Sequence, residues 1–355
     1  MKNSIYFLLT GTALVGINLP VVAQDLGSPK FTWTGDFNGD FITDYASAQD
    51  NTVYVYLSNG SSFDREVWPI SGTWGKPKYI YVGDFNGDHK QDLASVVDGY
   101  AFLQLANGAG FDSDVWPVAG EFGGKYSRIA DFNGDGKADI GSIIGSNVYV
   151  QLSNGLGFDS SVWAVPGNIG DSEYTWFRDF NGDGRTDIAT AVDNDVIVHL
   201  SNGSGFDSAV WPISGQWGKP DYTWAGDFNG DHQVDLASAI GNSVYIHLSN
   251  GASFKSAIWK VAGKWGDSEL SWAADFNGDG RTDLATVNGG EINVHYSNGW
   301  NFHSQTLLVA DSWDDEEYAR IGDFDGDGKH DIVAPLDKTI FVHTQDKTQF
   351  RTESW

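Results

Sequence analysis

One nonapeptide recurs along this chain with residue types able to hold a metal ion. The pattern Asp-Phe-Asn/Asp-Gly-Asp-x-x-x-Asp begins at Asp36, Asp84, Asp131, Asp179, Asp227, Asp275 and Asp323. Positions 1, 3, 5 and 9 carry side-chain oxygens, and the carbonyl of position 7 adds another donor. Ca2+ takes roughly six to eight oxygens in a flexible shell, which alternate residues of a tight loop can supply. The expected ligands of the first loop are Asp36, Asn38, Asp40, the Ile42 carbonyl and Asp44. Those of the second are Asp84, Asn86, Asp88, Lys90 (carbonyl) and Asp92, and of the third Asp131, Asn133, Asp135, Lys137 (carbonyl) and Asp139. The fourth offers Asp179, Asn181, Asp183, Arg185 (carbonyl) and Asp187, and the fifth Asp227, Asn229, Asp231, Gln233 (carbonyl) and Asp235. The sixth offers Asp275, Asn277, Asp279, Arg281 (carbonyl) and Asp283, and the seventh Asp323, Asp325, Asp327, Lys329 (carbonyl) and Asp331.

An isolated Asp-x-Asn-x-Asp is as readily an Asx-rich turn. Seven copies in register are not. They hold close to half of the 48 acidic residues, so unfilled loops would crowd like charges. Up to seven Ca2+ are therefore expected. Zinc is disfavoured, because there is no Cys and the His are not clustered with the loops at ligand spacing. Position 6 is Gly136, Gly184, Gly280 or Gly328 in four loops, and Phe41, His89 or His232 in the others. A side chain is held less easily in a left-handed bend than Gly. The seventh loop, with Asp325 at position 3 and Gly328 at position 6, is expected to bind most tightly, and the first, with Phe41, most weakly. Position 7 would vary freely, since only its carbonyl binds.

The elements that must position these loops repeat with them. Successive copies lie 48, 47, 48, 48, 48 and 48 residues apart. A Leu-Ser-Asn-Gly landmark keeps step at Leu57, Leu152, Leu200 and Leu248. A closing Trp stands at 68, 116, 163, 211, 259 and 355, with Leu307 in that place in the sixth unit. In the fourth unit four strand-like segments are predicted, at 174–180, 188–192, 196–200 and 206–211, separated by turn residues. Four short strands per unit, seven times, predict an all-β, seven-bladed β-propeller. Each blade has four antiparallel strands, and the calcium loops lie between the first and second. The second strand puts Leu236 and Ile240 on one face and Ala237 and Ala239 on the other, so large residues can meet small ones on the next blade. Residues 24–355 form a single propeller, closed by side-chain packing between the seventh and first blades without a shared strand.

Residues 1–23 read as a signal peptide. Lys2 precedes an apolar stretch from Ile5 to Ile17, and Val21-Val22-Ala23 fits a cleavage site. The stretch is short and broken by Thr10, Gly11, Thr12 and Gly16, which disfavours a membrane anchor. The mature protein is expected to be secreted or periplasmic, and monomeric. A net charge of −27 argues against nucleic acid or anionic membrane as a partner. Without Cys, bound metal would take the place of disulfides.

These units resemble the FG-GAP or VCBS-type repeats of calcium-binding propellers, including integrin α-chain heads. The Val/Ile-x-Leu-Ser-Asn-Gly-x-x-Phe stretch is similar to the fungal PVL-type lectin, another seven-bladed propeller. The resemblance covers residues from about 30 to 355 and implies a calcium-binding propeller. The glycine-rich strand motif of that lectin is absent, so no sugar site carries over residue by residue. The partner is expected to be a glycan or an extracellular protein. Trp74, Trp217, Trp265 and Trp313, in the connections between blades, are the candidate ligand-binding aromatics, beside the alternative that they seal the blades. His199, His247, His295 and His343 occupy equivalent places on different blades and are read as structural or solvent-facing. No Cys nucleophile, Gly-x-Ser-x-Gly elbow or phosphate loop appears, so an enzyme is not expected. Two alternatives stay open: a protein-interaction propeller that binds no glycan, and a calcium-dependent enzyme acting on polysaccharide.

Overall fold

A blade starts as a short β-prone segment, turns through the acidic loop and runs back as a second strand buried on both faces. In the first blade β1 is Thr32–Gly35, β2 Asp44–Gln49, β3 Thr52–Ser58 and β4 Phe63–Pro69. They pair antiparallel in sequence order, with Trp33 opposite Ala46, Ala46 opposite Val55 and Val55 opposite Glu66. Six further four-stranded sheets repeat this order in contiguous chain. The computed structural model describes residues 29–71, 80–120, 127–165, 169, 172–266, 270–288, 291–308, 318–336, 339–346 and 349–355. The predicted signal peptide, Trp74 and Trp313 lie outside the described residues.

The fourth unit has strands at Thr175–Arg178, Asp187–Val192, Asp195–Ser201 and Phe206–Pro212. Its first strand is shorter than the sequence suggests. Ser172–Tyr174 form a 3-10 turn, and Asp179 already belongs to the acidic loop. First strands of neighbouring blades touch one another around the middle of the ring. Fourth strands form the rim, and most of their side chains are exposed.

Each seam between blades has its own apolar core, because a sheet buried on both faces must fill the gap to the next. Leu236 packs among Phe180, Ala189 and Val198 of the preceding blade, while Ala237 and Ala239 pack with Leu284 of the following one. Large residues thus meet small ones across the seam. Ile240 departs from the expectation: it is half-buried and lies at the strand end. The closing Trp of each rim strand meets the Phe that opens the next rim strand edge-on. Trp68–Phe111, Trp116–Phe158, Trp211–Phe254 and Trp259–Phe302 have centroids 4.9–5.0 Å apart. Such pairs add about 0.5–1.5 kcal/mol beyond area burial.

The ring closes as every other seam does, without a shared strand. Trp355 lies 5.4 Å from Phe63, and Tyr45 and Tyr56 pack with Phe324, Val333 and Val342. The Ser58 hydroxyl donates to the Phe324 carbonyl at 2.6 Å, and the Thr43 N–H to the Asp323 carbonyl at 2.8 Å.

Candidate metal loops and interblade cleft

The acidic loop is built by its own carboxylates. Asp36 Oδ1 accepts from the N–H groups of Gly39 and Asp40 at 2.6 and 3.2 Å, and Oδ2 from that of Phe41 at 2.8 Å. Asn38 Oδ1 accepts from Asp40 N–H, and Asp40 Oδ1 from Ile42 N–H. The third loop repeats these bonds around Asp131, with Gly136 N–H 2.8 Å from Asp131 Oδ2. This wrapping puts position 6 in the left-handed region in all seven loops: φ is 66–67° at Phe41, His89 and His232, and 80–84° at the four glycines. Position 4, a glycine in every copy, is left-handed too, at 74–84°. The sequence reading missed that second bend.

A Cβ built on Gly136 meets nothing within 4 Å, and Phe41 is 80% exposed, so a side chain at position 6 costs torsional strain alone. Relief of left-handed strain outweighs the entropy lost with glycine only narrowly. Phe41→Gly is expected to raise unfolding free energy by about 0.5–1 kcal/mol in denaturant titrations.

Position 9 does different work from the other three. Asp44, Asp92, Asp139, Asp187, Asp235 and Asp283 are fully buried. Asp235 Oδ2 accepts from the Phe228 N–H at 2.9 Å and Oδ1 from the Ser249 N–H at 2.7 Å. The carboxylate therefore clamps the loop to the end of the third strand. Burial pushes Asp44, Asp92, Asp139 and Asp187 up to about 7, and Asp235, Asp283 and Asp331 up to about 8; nearby loop carboxylates add to the rise, and the amide bonds oppose it. In the seventh loop Asp331 Oδ2 takes the Phe324 N–H, while Oδ1 is buried with no hydrogen-bond partner. Carboxylate oxygens of Asp323, Asp325 and Asp327 lie within 4.8 Å of one another. An all-oxygen donor set with a buried unsatisfied carboxylate oxygen fits a hard divalent cation. Bound there, the ion would neutralise charge and tie loop to strand.

Position 7 is not the free position that the sequence suggested. Lys90 and Lys137 place Nζ 3.0 and 2.9 Å from the position-5 carboxylates Asp88 and Asp135. Arg185, Arg281 and Lys329 pair likewise with Asp183, Asp279 and Asp327. The same side chains reach across the seam. Lys90 Cγ lies 3.4 Å from where a Cβ on Gly39 would stand, and Arg185 Cγ 3.0 Å from that on Gly134. Position 8 then donates its N–H to the position-1 carbonyl of the preceding loop at every seam, as in Gln91 to Asp36 and Thr282 to Asp227, both 2.7 Å. The loops form one hydrogen-bonded belt. Ser-Asn-Gly turns share that face, since a Cβ on Gly155 or Gly299 would stand 3.1 or 3.3 Å from the Asn86 or Asn229 carbonyl of the neighbouring loop.

The opposite face carries the connections. Trp217 is wedged between Trp176, 5.5 Å away and tilted by 31°, and His247 at 5.0 Å, and its indole N–H is buried without a partner. Trp265 stacks on Trp224 at 5.3 Å, meets His295 at 5.0 Å and donates its N–H to the Gly241 carbonyl at 2.9 Å. Both indoles are packed between neighbouring blades, in line with the sealing alternative, and Trp265 also lines a cleft. The histidines explain this. His199, His247, His295 and His343 are buried, bond Ser208, Ser256, Ser304 and Thr352 through Nδ1, and are pushed down to about 4 by burial, which keeps them neutral. Beside Trp265 opens a cleft of about 350 Å³, lined by Gly218, Lys219, Tyr222, Ala239, Ile240, Gly241 and the Trp265 edge. Its walls are mainly apolar, with the Lys219 side chain among them.

Fold and loops together define the class: a seven-bladed β-propeller with an acidic loop after the first strand of every blade. The chain belongs to the FG-GAP-like repeat family, which matches it over residues 36–95, 84–142, 179–238 and 275–334. No curated protein sequence matches it. Among solved structures it is similar to a lectin of Agrocybe aegerita that recognises non-reducing terminal N-acetylglucosamine. The identity is 21%, the TM-score 0.68, and the match covers 81% of this chain and 82% of the lectin. It is also similar to the Tc holotoxin pore of Photorhabdus luminescens, at 14% identity and a TM-score of 0.55, over 91% of this chain and 17% of that one. At these identities the likeness concerns the fold.

Proposed function

We propose that this protein is an exported propeller that binds calcium through its acidic loops and glycans through clefts between its blades. The cleft beside Trp265 carries the glycan reading. It has the volume of a monosaccharide site, apolar walls for C–H faces and a few polar groups at its edge. The lectin fold of the Agrocybe protein supports it. Oxygen-only loops support calcium, and the leader pattern of residues 1–23 supports export.

A second reading has its own observation. Val67, Val115, Val162, Val210 and Ile258 stand 47–57% exposed at one repeated position of the rim strands, a spacing that suits a protein partner. A glycan array on the calcium-loaded protein separates the two. Retention on a restricted set of glycans is the expected result, and Ile240→Glu, at the half-buried lining residue, should lower it at least tenfold with little change in melting. Retention unaltered by Ile240→Glu would return the cleft to a structural role, and an array without signal would favour the protein partner.

A further inference from the structure

Resting on the calcium reading above, we infer that the side chain at position 7 sets the order in which the loops take up calcium. The first and fifth loops, where Ile42 and Gln233 stand at that position, fill early with the seventh; the second, third, fourth and sixth fill late.

Local charge argues for this order. In the late group each loop sets three carboxylates against one cation, and the cation sits on the position-5 carboxylate, itself a ligand. The seventh loop has the same pairing, Lys329 on Asp327, but adds Asp325 as a fourth carboxylate. In the first and fifth loops the outer oxygen of position 5 has no cation and accepts only a neutral amide, Asn38 Nδ2 to Asp40 at 3.0 Å and Asn229 Nδ2 to Asp231 at 2.9 Å, whereas Asp183 of the fourth takes both Asn181 Nδ2 and Arg185. Counted on its own nine residues, each early loop therefore carries one more net negative charge than each late one; the stems of Lys90 and Arg281 lean on the first and fifth loops across the seam, but their charged ends are paired with Asp88 and Asp279. One charge beside a divalent ion at a half-exposed site changes affinity by roughly tenfold, and salt reduces the difference.

The rival order comes from strain at position 6, which would favour the glycine loops and place the first, second and fifth last. The bend, however, is the same throughout. Phe41, His232 and Gly136 all donate to the position-1 carboxylate at 2.7–2.8 Å, with φ between 66 and 82°. The fold carries that strain, so it bears on stability more than on affinity.

The two orders disagree on the first and fifth loops against the third, fourth and sixth, and site occupancies decide between them. Crystals equilibrated with a calcium–chelator buffer at limiting free calcium would give the anomalous signal of each loop. Early filling of the first, fifth and seventh loops is expected. Lys137→Gln should advance the third loop by roughly tenfold in free calcium, Lys137→Arg should leave it in place, and Gln233→Lys should move the fifth into the late group. Equal filling of all seven, or glycine loops first, would overturn the inference while leaving calcium binding intact. No signal in any loop at saturating calcium would overturn the calcium reading and this inference with it.

Discussion

Chelating a calcium-loaded sample is expected to lower its melting temperature by ten degrees or more. At sites with Kd on the order of 10⁻⁴ M, ~1 mM Ca2+ contributes roughly 1.4 kcal/mol each. Seven sites on one belted ring sum to about 10 kcal/mol, and a domain this large shifts by roughly 2 °C per kcal/mol. The belt matters, because the position-8 N–H bonds join neighbouring loops and no blade can lose its loop alone.

The chelated protein should also respond to pH in a definite sense. The position-9 carboxyls are raised to about 7 or 8 in the folded state, against an unfolded value of 3.8. A group with a raised folded value stabilises fully below the unfolded value. That contribution falls as pH rises and is gone above the folded value. Without calcium, melting temperature should fall steadily from about pH 4 to about pH 8 and level off beyond. With calcium in excess the slope should shrink or reverse over the same range, since the ion displaces those protons. Differential scanning calorimetry at several pH values, with and without chelator, measures both. A melting temperature indifferent to chelation at every pH would refute the calcium reading.

Asp235→Ala is expected to be the most damaging single substitution among the loop acids tested one at a time. It strands two buried amides, Phe228 N–H and Ser249 N–H, and empties a fully buried site. Each stranded donor costs about 1–3 kcal/mol, so a loss of roughly 3–5 kcal/mol is expected, with or without calcium. Asp231→Ala, at the exposed position 5 of the same loop, is the paired control. It should leave the chelated protein close to wild type and remove only that loop's share of the calcium-induced gain. Equal losses for the two variants in chelator would mean that position 9 has no structural clamp to lose.

The difference between these two aspartates also marks how far the sequence reaches. Both satisfy the same nine-residue pattern, and nothing in the spacing separates them. Asp235 differs because the third strand returns to place Ser249 N–H against it, a contact between residues 14 apart. Lys137 divides in the same way: its pairing with Asp135, two residues away in the same loop, is local, whereas its approach to Gly87 of the preceding loop depends on how adjacent blades dock.

What the sequence determined by itself was everything carried by period. A unit that cannot bury both faces of its sheet alone must stack on copies of itself. Seven registers of the acidic loop, the Ser-Asn-Gly turn and the closing Trp therefore specified blade number, strand order and loop placement. The tertiary structure alone decided which side chains those stacked surfaces cover. In the chain Trp217 and Trp265 could bind a ligand or seal the blades; in the fold they pack between Trp176 and Trp224 of the preceding blade and His247 and His295 of the next. Burial across a seam is a property of two blades together, and no single repeat encodes it.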